Sequence, residues 1–159
     1  MPTTHFHVQT KLAPAVVMGG LTDFGASRSE VWPNVDRENF KVHGSGPGWA
    51  EVTEGSSIAG GVWERERYTW DGAAGTVAVE TLESNIWGEG SRWDYRLVPV
   101  DGGTRIDVTV VRNPLNVKAR LIAFGLVLFG PTILRSQMAQ ATARISARAT
   151  AESGGGTEI

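Results

Sequence analysis

The sequence predicts an α+β domain in which a curved antiparallel sheet of about seven strands wraps a long C-terminal helix, with two short helices after the first strand. Three observations predict it. Between residues 40 and 112, short runs of alternating apolar and polar residues are separated by glycine-rich turns, the mark of consecutive hairpins. Residues 14–31 have helical spacing directly after a first strand. The stretch Leu121 to Leu134, LIAFGLVLFGPTIL, carries no charge, and Leu134, Met138, Ala141 and Ile145 continue it at spacings of four, three and four. Strands in succession with helices kept apart from them indicate α+β rather than alternating α/β architecture.

In chain order, Phe6, Val8, Thr10 and Leu12 alternate with His5, His7 and Gln9 as a first strand. His5 and His7 share a strand face, but without a third ligand nearby they read as a solvated face, and no metal site is expected. Pro14 opens a helix bearing Ala15, Val16, Leu21 and Phe24, and a second spans Ser27 to Val31 until Trp32-Pro33 ends it. Phe40 and Val42 mark the next strand, and GSGPG after it reads as a turn. It matches neither the phosphate-loop nor the dinucleotide pattern. Strands follow over Ala50 to Gly55, Gly61 to Trp70, Thr76 to Ser84, Arg92 to Val100 and Arg105 to Arg112. Asp71-Gly72 and Asp101-Gly102-Gly103 supply hairpin turns.

For the last helix, Asn113 reads as the cap and Pro114 as the first helical residue. The uncharged run would rise about 21 Å, short of the roughly 30 Å of a bilayer core. Gly130-Pro131 is expected to kink it. A helix apolar almost all round needs apolar neighbours on several sides or exposes a greasy face, and the reading here is burial. Residues 1–151 form one domain, and 152–159 read as a flexible tail.

One domain suits 159 residues, and 41% hydrophobic residues with six tryptophans indicate a real core. The absence of cysteine excludes disulfides, thiol nucleophiles and thiolate metal sites. MPTTHFHVQ has no basic region followed by an apolar one, so no signal peptide is read and a cytoplasmic location is expected. The net charge of −2 is unevenly spread. Residues 1–107 hold nine Lys/Arg against fifteen Asp/Glu, while Val108 to Ala151 holds six basic residues and no acid. Either a basic helix packs on an acidic sheet, or this surface makes transient contact with anionic membranes or acidic partners. No basic stripe interleaved with aromatics appears in the strands, so nucleic acid is not an expected partner.

Leu12-Ala13-Pro14, Leu21-Thr22-Asp23, Trp32-Pro33, Gly103-Thr104-Arg105-Ile106 and the long final helix follow one another in an order that resembles the START-related helix-grip superfamily, also called SRPBCC. It includes pathogenesis-related plant allergens, lipid-transfer domains and polyketide cyclase/dehydrase-like proteins. The resemblance spans roughly residues 3–150 and implies a deep cavity between sheet and helix that takes apolar or aromatic small molecules. Carriers and enzymes both occur in the superfamily without a shared catalytic triad, so the fold is implied more firmly than the activity. The greasy, Gly-Pro-broken helix departs from typical members.

Candidate ligand contacts are Trp93 and Tyr95 on the apolar parity of Leu97, facing Leu121, Phe124 and Leu128 on one helix face. Trp32 and Trp87 stand near the mouth, with Phe40 and Tyr68 completing the set. Plain core packing is the competing account of each, although buried indoles seek polar partners. In Val62 to Tyr68, alternation turns either Glu64, Glu66 and Tyr68 or Trp63, Arg65 and Arg67 inward, and Val62, Tyr68 and Trp70 share the glutamate parity. A carboxyl in an apolar pocket has its pKa raised and can act as a general acid or base. The alternative is an exposed Glu-Arg ladder. There is no G-x-S-x-G elbow, and His5, His7 and His43 lie on outward parities, so nucleophilic and metal hydrolysis are not expected. The leading expectation is a carrier or sensor of a lipid, polyketide or aromatic metabolite, with no cofactor. Against it stand a cyclase or dehydratase using Glu64 or Glu66 with Tyr68, and a helix that docks on a membrane or a second copy through Ile122 and Phe129 to form a homodimer.

Overall fold

The computed structural model describes residues 1–57 and 60–154. Its sheet has seven strands: β1 Thr3–Thr10, β2 Lys41–Gly46, β3 Trp49–Ser56, β4 Val62–Asp71, β5 Thr76–Ser84, β6 Arg92–Val100 and β7 Gly103–Val111. Their spatial order is β1-β7-β6-β5-β4-β3-β2, with every neighbouring pair antiparallel. The chain therefore lays down β2 to β7 as a meander, and the last strand returns beside the first, setting Phe6 opposite Val108 and Val8 opposite Ile106.

Period-two alternation gives the sheet one apolar face, built from Phe6, Val8, Ala50, Val52, Val77, Val79, Ile106, Val108 and Val110. The other face is solvated, and there Arg65 and Arg67 both pair with Glu51 of β3. A bulge on β5 makes Leu82 the extra residue: Arg65 is opposite Glu83 and Glu66 opposite Thr81. Leu82 keeps the outward direction of the alternation and Glu83 turns outward beside it, while Thr81 stays on the buried face and donates to Glu64.

Between β1 and β2 lie α1, Pro14–Leu21, α2, Arg28–Val31, and a single 3-10 turn, Arg37–Asn39. Pro14 opens α1 as expected. The turn read at GSGPG is narrower than anticipated, because β2 runs through Gly46 and only Pro47-Gly48 turn, Gly48 at φ 75°.

The final helix, α3, spans Val117–Gly154. Asn116 is its cap, since its Oδ1 accepts the Ala119 N–H at 2.8 Å. Asn113, the cap expected from sequence, instead donates to the Glu89 carbonyl, and Pro114 bridges to Trp87. The helix continues unbroken through Gly130-Pro131 and takes in residues 152–154, the start of the expected tail; residues 155–159 lie outside the described residues.

The two halves of α3 pack differently. Leu134, Met138, Ala141 and Ile145 join the main core with Phe6, Val8 and the α1 and α2 residues Val17, Leu21 and Val31. Ahead of them, Ala119 and Ala123 form a separate small cluster on Ile86 and Trp87. The expectation that the apolar run is buried fails: Leu121, Phe124, Leu128, Phe129 and Ile133 are all exposed. A sheet covers a helix from one side only, and small residues occupy that side here, leaving the large ones to solvent.

Gly103 closes the sheet where β7 meets the end of β1. A Cβ there would overlap the Thr10 carbonyl oxygen. Gly103→Ala is expected to destabilise the fold by about 1–3 kcal/mol through this overlap. Gly19→Ala, in α1 with nothing within 4 Å of the new methyl, is expected to stabilise it by about 0.5–1 kcal/mol. Urea denaturation of the two variants reads the contrast.

Candidate functional site

Sheet and α3 enclose a cavity of about 230 Å³. Alternation brings Trp93 and Tyr95 of β6 and Glu64, Glu66 and Tyr68 of β4 to its sheet wall, with Trp32 and Trp87 from the connections. Ile122, Leu134 and Met138 line the helix side. Trp93 and Tyr95, two apart on one strand face, stack with ring centroids 6.3 Å apart and planes 9° from parallel.

Two buried guanidinium groups organise the polar part. Arg28, only 3% exposed, donates from Nε to Glu54 Oε1 at 2.7 Å, from Nη2 to the Tyr68 hydroxyl at 2.9 Å and from Nη1 to the Leu21 carbonyl at 2.9 Å. Its guanidinium lies about 5 Å from the Phe24, Trp32 and Tyr68 ring centres, within cation-π range. Burial works most strongly against the charge, but Glu54 together with the Tyr68 and Tyr95 hydroxyls more than offsets it and raises the Arg28 pKa. Tyr68 donates onward to Glu54 Oε2 at 3.2 Å, so its hydroxyl is committed. Burial, with Glu54 next, pushes that hydroxyl well above its ordinary pKa.

Arg112 is the second. Its two terminal nitrogens grip Glu64 at 2.9 and 3.0 Å, and the guanidinium lies 5.0 Å from the Trp87 ring centre and 4.8 Å from that of Trp93. Its Nε is the one buried side-chain nitrogen or oxygen without a partner among the described residues.

Glu66 lies between these pairs on β4 and has no guanidinium of its own. Burial first, then the nearby Glu64 and Glu54 charges, push its pKa well above the ordinary value, against a smaller opposing pull from Arg112. Three carboxyls share the site with two guanidiniums, and a proton held on Glu66 leaves the group uncharged overall. Tyr95 adds a hydroxyl whose pKa burial and Glu66 drive upward. The cavity thus offers aromatic walls, two fixed ion pairs and a carboxylic acid that can donate a hydrogen bond.

No protein-family profile and no curated protein matches the chain. Solved structures do. A protein of Thermus thermophilus superposes with a TM-score of 0.76 at 13% identity, covering 92% of this chain and 99% of the other. The Zhui aromatase/cyclase of Streptomyces sp. R1128 gives 0.76 at 16%, covering 92% and 94%. A START superfamily protein of Mycobacterium smegmatis gives 0.71 at 13%, covering 91% and 97%.

The chain has the helix-grip fold of these structures. Within that fold, Trp32, Tyr68, Trp87, Trp93, Tyr95, Glu64 and Glu66 stand on the cavity wall where the sequence placed them. Of the two registers left open for β4, the one with Glu64, Glu66 and Tyr68 inward is realised, and Arg65 and Arg67 face out to pair with Glu51 of β3. Phe40 is a correction: it packs half-buried against the core and is not a cavity residue. Leu121, Phe124 and Leu128 are a larger one, at 69%, 64% and 55% exposed on the outer side of α3. Ile122, assigned to that outer side, lines the cavity instead. The reason is rotational: at about 100° per residue, seating Ala119 and Ala123 on Trp87 swings 121, 124 and 128 away from the sheet. His5, His7 and His43 are exposed, and no group of three or more candidate metal ligands occurs among the described residues.

Sequence reasoning missed Arg28, Glu54 and Arg112. Two had a signal: Glu54 continues the parity of Ala50 and Val52, and Arg112 that of Ile106, Val108 and Val110. Arg28, on a four-residue helix, had none.

A raised Glu66 pKa has a defined linkage. Above about pH 4.5 the unfolded chain has released this proton while the folded chain keeps it, so stability is present at low pH and lost as pH rises toward the folded pKa, by about 1.4 kcal/mol per unit. Glu66→Gln is expected to flatten that decline between pH 5 and 8 and to be more stable than the wild type at pH 8. Identical slopes in denaturation series of the two proteins would rule out a neutral Glu66.

Proposed function

We propose that the chain binds a small hydrophobic molecule of one or two rings carrying a carbonyl or hydroxyl oxygen, as a carrier or sensor. The observation that carries this is the cavity itself, left open between aromatic walls and α3. Its size bounds the guest. A dry 150 Å³ cavity takes benzene, and pockets for drug-sized ligands run to about 300–1,000 Å³. At about 230 Å³ this one suits a molecule between those limits. Burying about 200 Å² of apolar ligand surface gains on the order of 5 kcal/mol before ordering costs. Glu66 as a neutral donor and the Tyr95 hydroxyl favour a guest whose oxygen pairs with them, because a buried donor left unpaired is costly. The likeness to a START superfamily protein and to the aromatase/cyclase Zhui supports this class of ligand.

A second reading follows from the same carboxyl. As a cyclase or dehydratase, Glu66 would transfer the proton, Glu64 would stay gripped by Arg112, and Tyr95 would hold the substrate oxygen. Tyr68, the donor named from sequence, is occupied by Arg28 and Glu54. Turnover of a poly-β-keto thioester mimic falling 100-fold or more in Glu66→Gln supports this reading, and unchanged turnover removes it.

Binding is tested with the uncharged dye Nile red. Ile122→Trp and Val62→Trp each place an indole on the cavity wall and are expected to weaken dye binding at least about tenfold, a loss of roughly 1.4 kcal/mol. If both variants keep their circular dichroism spectrum and bind dye as tightly as the wild type, the cavity is not the binding site.

A further inference from the structure

The outer face of the first half of α3 plays no part in the cavity. Val117, Leu121, Phe124 and Leu128, spaced by four, three and four, form one continuous exposed stripe. Phe129 and Ile133 widen it on one side. Soluble monomers rarely leave so many large apolar side chains together in water without a use. Basic residues frame the stripe, Lys118 and Arg120 at its start and Arg135 at its end, and none of the three has an ion-pair partner among the described residues. Farther along, Arg148 and Arg144 reach Asp23 and the Glu30 carbonyl, so that half of the helix does satisfy its charge within the protein.

We propose that this face docks on an anionic membrane surface, with the apolar stripe in the headgroup-acyl boundary and Lys118, Arg120 and Arg135 on acidic headgroups. Charge complementarity selects the occupant. A second copy packed antiparallel on the stripe would bring Lys118 and Arg120 of one chain toward Arg135 of the other, and a parallel copy would set like ends together. No acid between Val108 and Ala151 relieves either arrangement. An anionic bilayer meets both the grease and the charge.

By length and composition α3 could cross a bilayer, but the proposal has it lie on the surface. Its uncharged run ends at Arg120 and Arg135 and is about 21 Å long. Spanning would also pull Ala123, Leu134 and Met138 from the core that holds the opposite face. The docking face and the cavity share the helix back to back, Leu121 outward and Ile122 inward. The proposal does not rest on the cavity being a ligand site.

The test is co-sedimentation of the full chain with vesicles of phosphatidylcholine alone or with 30% phosphatidylserine. Wild-type protein is expected to pellet with the anionic vesicles, to be released by 0.5 M NaCl and to pellet weakly with phosphatidylcholine. Phe124→Ser/Leu128→Ser and Lys118→Gln/Arg120→Gln/Arg135→Gln are each expected to lower anionic-vesicle binding about tenfold or more while leaving circular dichroism and Nile red binding in the cavity unchanged. Absence of wild-type binding to anionic vesicles overturns the proposal, as does equal binding by both variants. So does a wild-type dimer in analytical ultracentrifugation that Phe124→Ser/Leu128→Ser makes monomeric, which would assign the face to a second copy.

Discussion

Arg28 is the side chain on which the interior depends. A guanidinium this deeply buried is tolerable only when its donors are met, and it meets them with a carboxylate from β3, a hydroxyl from β4 and a carbonyl at the end of α1. One charge thereby ties the two short helices to the sheet and holds Tyr68 in a single orientation. Removing either member of the Arg28-Glu54 pair would leave its partner charged and desolvated, a cost of about 3–5 kcal/mol. This outweighs any one apolar contact in the cavity wall.

The second pair, Arg112 with Glu64, repeats the device at the other end of the inward face of β4. Between two satisfied ion pairs, Glu66 is the residue left over, and burial with its neighbouring carboxylates favours its protonated form. The donor character of the cavity therefore comes from arithmetic among five side chains, not from any one of them. A further charge introduced by a guest would meet two guanidiniums already paired with carboxylates, and this is the ground on which a neutral, oxygen-bearing ligand is proposed.

α3 serves two surfaces at once. Its later turns fill the core with Leu134, Met138 and Ile145, while its early turns rest on Trp87 through alanines and so face large residues outward. A helix apolar all round and covered from one side has no other outcome.

The order of elements, the hairpin turns and the inward pair Trp93 and Tyr95 were legible from alternation, because a strand offers each side chain only two directions, whereas for β4 alternation left two registers and the tertiary structure chose the one with Glu66 and Tyr68 inward. Glu54 and Arg112 were equally legible by parity and were missed because charged residues are seldom assigned to a core. For α3 the chain specifies that a helix forms and that it is greasy, yet a run apolar on every side contains no moment to say which side meets the sheet. That rotation, the choice of Asn116 over Asn113 as cap, and the meeting of Arg28 with Glu54 and Tyr68 were decided only in the tertiary structure. Each depends on which distant surfaces come into contact, and local spacing has no term for that.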